Sequence, residues 1–296
     1  MGRSKIGKIF PYVIIFSLVF FACRYEQASP AAPPNEINSI ISIGPSNTEI
    51  LTALGFGSRI IATDAFSDGI EGIRTGISIY SMMQLDLEHI ISLKPDIVFV
   101  TGMTFVDGDQ DPLRMVREAG IYVVYLPTST SIEDIKNDIR HIAAVMGVEE
   151  DGESLVEYME SEIELVRQIS HNINLRRSIY FEISPAPFMY SFGRGTFLHE
   201  MIEIAGGENI FSFSEGWMAV PDELLLSANP DVILTTVDFL DDPVSEIMSR
   251  PGWSVIAAVQ NMRVYSIDAN YSSRPSHNII RALWEIARAL YPEYYQ

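Results

Sequence analysis

The chain has 296 residues, 47% of them apolar and 20% charged, which is the composition of a folded protein with room for two ordinary domains and not of a disordered one. Its formal charge is −19, and the basic residues Arg3, Lys5 and Lys8 all fall at the very start, so the remainder is more acidic still. A balance of that sign argues against nucleic acid as a partner, because phosphates require a basic face.

Behind the basic start, residues 9–22 are almost wholly apolar (IFPYVIIFSLVFFA). That run is too short to span a bilayer comfortably and reads as an export signal over residues 1–22. It ends at Ala22-Cys23, and Cys23 is the one cysteine of the chain, so no internal disulfide is possible. The junction resembles a bacterial lipoprotein cleavage site, which implies that the Cys23 thiol receives a diacylglycerol. Phe20 stands where that pattern has leucine, and an uncleaved anchor or a plain signal peptide are the alternatives. Residues 23–36 are a tether rich in proline and alanine, with no pattern for a core.

An N-terminal α/β lobe is expected over 37–130. NSIISIG is a buried strand; PSNTEILTALGFG follows as a helix, with Ser46 or Asn47 as its cap, Glu49 in its first turn and Gly55 at its end. RIIATD is a second strand. After a loop come the helix LDLEHIISL and the doubly buried strand DIVFV, then the helix DPLRMVREAG and the strand IYVVYLP. Strict alternation of strand and helix implies a parallel sheet. Residues 131–175 form a helical linker, containing a long helix that reads as a rigid spine. The C-terminal α/β lobe, 176–296, opens with the strand RSIYFEIS, continues through the helix TFLHEMIEIAGG, and ends with the strand RVYSID and a last helix, NIIRALWEIARALYP.

One cassette occurs in both lobes. EHIISLKPDIVFVTG begins at Glu88 and ELLLSANPDVILTTV at Glu223; each acid stands the same distance ahead of its Pro-Asp step, Pro95 or Pro230. The repeat implies two lobes of like build with one carboxylate at an equivalent place on each. Such a carboxylate, exposed on a helix, accepts paired hydrogen bonds from a guanidinium, and two of them fix both position and orientation of a docked molecule.

The segments ISIGPSNTEILTALGFGSRIIATD, LDLEHIISLKPDIVF, EIAGGENIF, WMAVPDELLLSANPDVIL and RPGWSVIAAVQNMRVYSID resemble the substrate-binding proteins of ABC importers for iron-siderophores, haem and vitamin B12. The resemblance implies an α/β fold of two similar lobes with parallel-rich sheets joined by one long interdomain helix. It implies a lipid-anchored, extracytoplasmic monomer without cofactor or enzymatic activity, whose cargo is itself a cobalt or iron chelate. Its partners would be the permease subunits of the importer, reached through Glu88 and Glu223. Matching the family's pattern, the cargo would meet Ser46, Asn47, Phe66, Tyr80, Met82 and Met83 in the first lobe. In the second it would meet Tyr190, Arg194, Trp217, Tyr271 and Arg274. Where the vitamin B12-binding protein has a tryptophan in the first lobe, this chain has Met82.

Aromatic faces and methionines suit a large, flat ligand, while arginines suit carboxylates, so cobalamin, ferric siderophore and haem all stay open. Tyr80 or Tyr271 would be the axial ligand of a haem. A bare zinc or manganese ion is an alternative cargo, but His89, His141, His171, His199 and His277 show no pair at metal-ligand spacing. An exported enzyme is the remaining alternative. GPSNT lacks the second glycine of a nucleophile elbow, and there is no phosphate loop.

Overall fold

In the computed structural model, which describes residues 34, 36–104 and 111–295, the apolar runs of the first lobe form a five-stranded parallel sheet. The export signal, Cys23 and most of the tether lie outside the described residues. The strands are β1 (Ile40–Ile43), β2 (Ile60–Asp64), β3 (Ser78–Tyr80), β4 (Ile97–Thr101) and β5 (Tyr122–Leu126), in the order β3-β2-β1-β4-β5. β1 and β4 are central and buried on both faces, which is why they read as unbroken apolar runs. The crossovers carry α1 (Pro45–Ala53), α2 (Leu87–Leu93) and α3 (Arg114–Glu118).

Two helix starts differ from expectation. α1 is capped by neither Ser46 nor Asn47. Pro45 takes its first turn, where a missing N–H costs nothing, and Gly44 precedes it at φ 114°. A side chain at Gly44 would also meet Thr101 at 3.2 Å. α3 is shorter than the DPLRMVREAG pattern, because Asp111 accepts the Leu113 amide (3.0 Å) and holds the preceding residues in a turn.

The helical linker is a hairpin: α4 (Ile132–Met146) and α5 (Glu149–Ser170) turn back on each other at Gly147. The long helix anticipated from sequence is α5, whose 22 residues extend about 33 Å. Arg140 pairs with Glu153 and Lys136 with Glu160, both at 2.9 Å, which places the two helices antiparallel. They meet closely at Gly152, where an added Cβ would stand 2.3 Å from that of Ala143.

The second lobe repeats the first with changes. β6 (Ser178–Glu182), β8 (Glu208–Asn209), β10 (Val232–Thr235) and β11 (Val264–Ser266) form a parallel sheet in the order β11-β10-β6-β8. β7 (Tyr190–Phe192) and β9 (Trp217–Ala219) form a separate antiparallel pair. The helices are α6 (Phe197–Ile204), α7 (Asp222–Ala228), α8 (Pro243–Met248), α9 (Ala257–Gln260), α10 (Ala269–Ser273) and α11 (Ile279–Leu290).

The internal repeat has a structural counterpart. The Asp96 carboxylate accepts the Ser39 amide (2.8 Å) and hydroxyl (2.8 Å), pinning β4 to β1. The Asp231 carboxylate accepts the Ser178 amide and hydroxyl, both at 2.9 Å, pinning β10 to β6. In each case the serine Oγ accepts the aspartate amide in return.

The largest apolar cluster is shared by both halves. It runs from Ile40 and Leu51 through Ile135, Ile139, Met159 and Val166 to Ile179, Leu198 and Ile286. The other face of each sheet has its own cluster, around Val98 and Val116 in the first lobe and around Tyr180 and Trp253 in the second. The lobes are therefore fused along the helical hairpin.

Candidate functional site

A cavity of about 770 Å³ opens between the two sheets, and its wall is made almost entirely of residues that follow strand carboxyl ends. Gly44 to Asn47 follow β1, Phe66 follows β2, Met82 follows β3, and Pro127 to Thr130 follow β5. From the second lobe come Phe181 and Ile183 at the end of β6, Thr236 and Asp238 beyond β10, and Ala269, Asn270 and Ser272 to Pro275 after β11. Carboxyl ends of parallel strands are where such sheets leave room for ligands.

One wall is aromatic. Phe181 packs on the buried Phe192 (ring centroids 5.3 Å), and Trp217 sets its ring against Phe192 at 5.9 Å and 79°. Phe181 and Trp217 line the cavity, and Trp217 remains 53% exposed there. From the first lobe Phe66 also lines the cavity, 63% exposed on a loop held by hydrogen bonds. Asp64 receives the Gly44 amide (2.8 Å), the Phe66 amide (2.8 Å) and the Ser67 hydroxyl (2.6 Å), tying the loops after β1 and β2 together.

A buried clasp joins the lobes at this cavity. Glu49 of α1 accepts Arg274 Nη1 (3.0 Å), Asn278 Nδ2 (3.0 Å) and the Ser276 hydroxyl. Arg274 Nη2 donates to the Phe66 carbonyl at 2.8 Å. Both charges of the Glu49–Arg274 pair are largely withdrawn from water, and each neutralises the other. Next to the clasp His277 has a buried Nδ1 with no hydrogen-bond partner among the described residues, and burial holds its pKa below the usual imidazole value.

Six residues singled out from sequence line the cavity: Ser46, Asn47, Phe66, Met82, Trp217 and Arg274. Five do not. Tyr80 is buried, with its hydroxyl on His89 Nδ1 (3.1 Å); burial, then the Asp86 charge, pushes its pKa up to about 12. Tyr271 accepts Arg281 Nη1 at 2.7 Å and carries that guanidinium over its ring. Met83 and Tyr190 are exposed outside the wall, and Arg194 lies in the exposed turn that pairs with Glu215. Asn47 turns its amide onto the Ile43 carbonyl (3.0 Å) and presents little of itself to the space.

Sequence reasoning missed Phe181, Thr128 to Thr130 and Asp138 in the wall, and Glu49 in the clasp. The signal for the first two was available: Phe181 stands at the end of a recognisable strand, and Thr128 to Thr130 follow one. Asp138 comes from α4, where Ser129 Oγ donates to it at 2.5 Å. Burial holds its carboxyl above the usual range, against that hydrogen bond. Among the described residues no histidine, tyrosine or cysteine belongs to the wall, and no group of three or more His, Cys, Asp or Glu is placed to hold a metal ion.

Away from the cavity, Glu88 and Glu223 occupy matching places. Each is exposed in the first turn of a seven-residue helix, α2 or α7. Each helix ends on a left-handed residue, Lys94 (φ 48°) or Asn229 (φ 45°), ahead of the Pro-Asp step.

A two-lobed α/β scaffold with a cleft at strand ends defines a class of binding proteins, and the chain belongs to the periplasmic binding protein family, whose model matches residues 40–271. It is 30% identical over 263 residues to an uncharacterized ABC transporter substrate-binding lipoprotein, YvrC, of Bacillus subtilis, covering 87% of this chain and 81% of that one. It is 26% identical over 268 residues to the vitamin B12-binding protein of Vibrio campbellii, covering 88% of this chain and 92% of the relative. Among solved structures, a possible iron-binding (periplasmic solute-binding) protein from Staphylococcus epidermidis superposes with a TM-score of 0.74 at 27% identity, over 86% of this chain and 99% of that one.

Proposed function

We propose that this protein is the lipid-anchored, extracytoplasmic substrate-binding component of an ABC importer. In this reading it captures an uncharged or cationic metal chelate, cobalamin or a ferric hydroxamate, and passes it to the permease through Glu88 and Glu223. The family and the relatives above support the transport role. The observation that carries the ligand class is the Glu49–Arg274 clasp. Arg274 is the one basic residue of the wall among the described residues, and its charge is already balanced. A haem or a siderophore with free carboxylates would enter a wall offering no unpaired cation and two acids, Asp138 and Asp238. Desolvating an anion against them is costly.

A haem also finds no axial ligand of the expected kind. Tyr80 and Tyr271 keep their hydroxyls on His89 and Arg281. A neutral chelate with apolar faces and polar edges instead meets Phe66, Trp217 and Phe181 together with the hydroxyls of Ser46, Thr128 and Thr130. The protein's task is differential affinity, not turnover.

The test is titration of the purified chain with cyanocobalamin, ferrichrome, ferrioxamine B and haemin, followed by tryptophan fluorescence. Saturable quenching that disappears in Trp217→Phe, with haemin weakest, supports the reading. Haemin binding tighter than the three uncharged or cationic chelates overturns it.

A further inference from the structure

Asp138 stands in the cavity wall without a structural reason to be charged. Its Oδ2 accepts the Ser129 hydroxyl at 2.5 Å, the one side-chain hydrogen bond Asp138 makes among the described residues. No Lys, Arg or His forms an ion pair with it among the described residues. Asp134, four residues earlier on α4, adds a like charge on the same helix face, and only His141, one turn later, offsets it in part. A carboxylate half withdrawn from water and crowded by a second acid weakens the fold. Side chains that weaken a fold where they face a cavity are those kept for binding. The Ser129 bond engages one oxygen of a carboxylate that lines the cavity, and the second oxygen is left to accept from a ligand.

The geometry points to Asp138, held by Ser129, as a specificity-determining residue that accepts a hydrogen bond from an N–H donor, a primary carboxamide or an ammonium, on the edge of the ligand. The inference rests on the uncharged or cationic chelate proposed above. It adds the group by which one such chelate is told from another: a carboxylate accepts from an amide and repels an acid of the same shape, so a single amide-to-acid change is rejected.

Cyanocobalamin carries primary amides at its edge, and mild hydrolysis turns one of them into a carboxylic acid, giving separable isomers. The wild-type chain binds the parent, and at least one isomer about tenfold more weakly, as expected when a buried acceptor loses its donor. Asp138→Asn lowers affinity for the parent and brings that isomer to within about twofold of it, while Tm stays equal or rises because an unpaired charge is gone. If ferrioxamine B is bound in place of cyanocobalamin, the same ratio is read against its N-acetyl derivative, which lacks the ammonium. Wild-type ratios in both Asp138→Asn and Asp138→Ala overturn the inference alone. A Tm several degrees lower in Asp138→Asn overturns it too, since the carboxylate is then structural. A wild-type chain that binds none of these chelates overturns the ligand reading and this inference together.

Discussion

Replacing Glu49 with alanine tests the clasp between the lobes. Glu49 is 5% exposed and takes three donors, Arg274, Ser276 and Asn278, all from the far lobe. The substitution leaves the Arg274 guanidinium with the Phe66 carbonyl and takes the acceptor from the buried Ser276 O–H, whose oxygen keeps the Asn278 amide. An exposed ion pair is worth at most about 1 kcal/mol, but removing one partner of a buried pair costs about 3–5 kcal/mol. The upper half of that range applies here, because two neutral donors lose their acceptor as well. Urea unfolding of the wild type, Glu49→Ala, Arg274→Ala and the double variant reads the effect. The double variant falls short of the summed single losses by about 0.5–3 kcal/mol, the coupling expected of side chains in contact. A single loss below about 1 kcal/mol, or strict additivity, would show that the clasp does not hold the lobes.

Four further outcomes are expected. Glu88→Ala with Glu223→Ala leaves ligand affinity intact and abolishes uptake by whole cells; retained uptake removes the docking roles. Asp96→Ala and Asp231→Ala each release one strand start from its neighbour, and each lowers unfolding free energy by about 1–3 kcal/mol, Asp96→Ala by the larger share because Asp96 also accepts the Asn38 amide; a loss at one site alone would break the equivalence of the lobes. Gly152→Ala destabilises despite alanine's better helix propensity, by about 1–2 kcal/mol, since its Cβ would stand 2.3 Å from that of Ala143, which has no rotamer to escape with; Ala143→Gly in the same chain restores the melting temperature. The His277 pKa is depressed in the folded state, so the unfolded chain binds its proton first, and this group's share of stability falls as pH drops below about 6.5. His277→Gln flattens that part of the stability–pH curve, and an unchanged curve denies the imidazole this role.

Most of the first sheet was readable because its strands are short apolar runs set off by glycine or a Pro-Asp step, and the repeat around Glu88 and Glu223 announced a second lobe. β7 and β9 were not readable: three-residue strands in glycine-rich sequence show no periodicity. In the site, the loops after β1 and β2 bring Ser46 and Phe66 to the cavity, as their places behind apolar runs suggested. Tyr80 and Tyr271 were misplaced because their direction depends on partners elsewhere, His89 and Arg281, which no local pattern reveals. Glu49 read as an ordinary first-turn acid, and the arginine that explains it is 225 residues away. Asp138 was hidden in an amphipathic helix, where an acid is taken for part of the wet face until the cavity beside it is seen.

Because apolar packing continues from the first sheet through α4 and α5 into the second, neither half owns an interior that closes without the other. While the chain emerges, the flank of α5 that will meet α6 and α11 faces water until the last residues arrive. A product cut short after β5 keeps bare the sheet face that α4 and the second lobe would cover, and is material for proteolysis or clumping instead of half a working receptor.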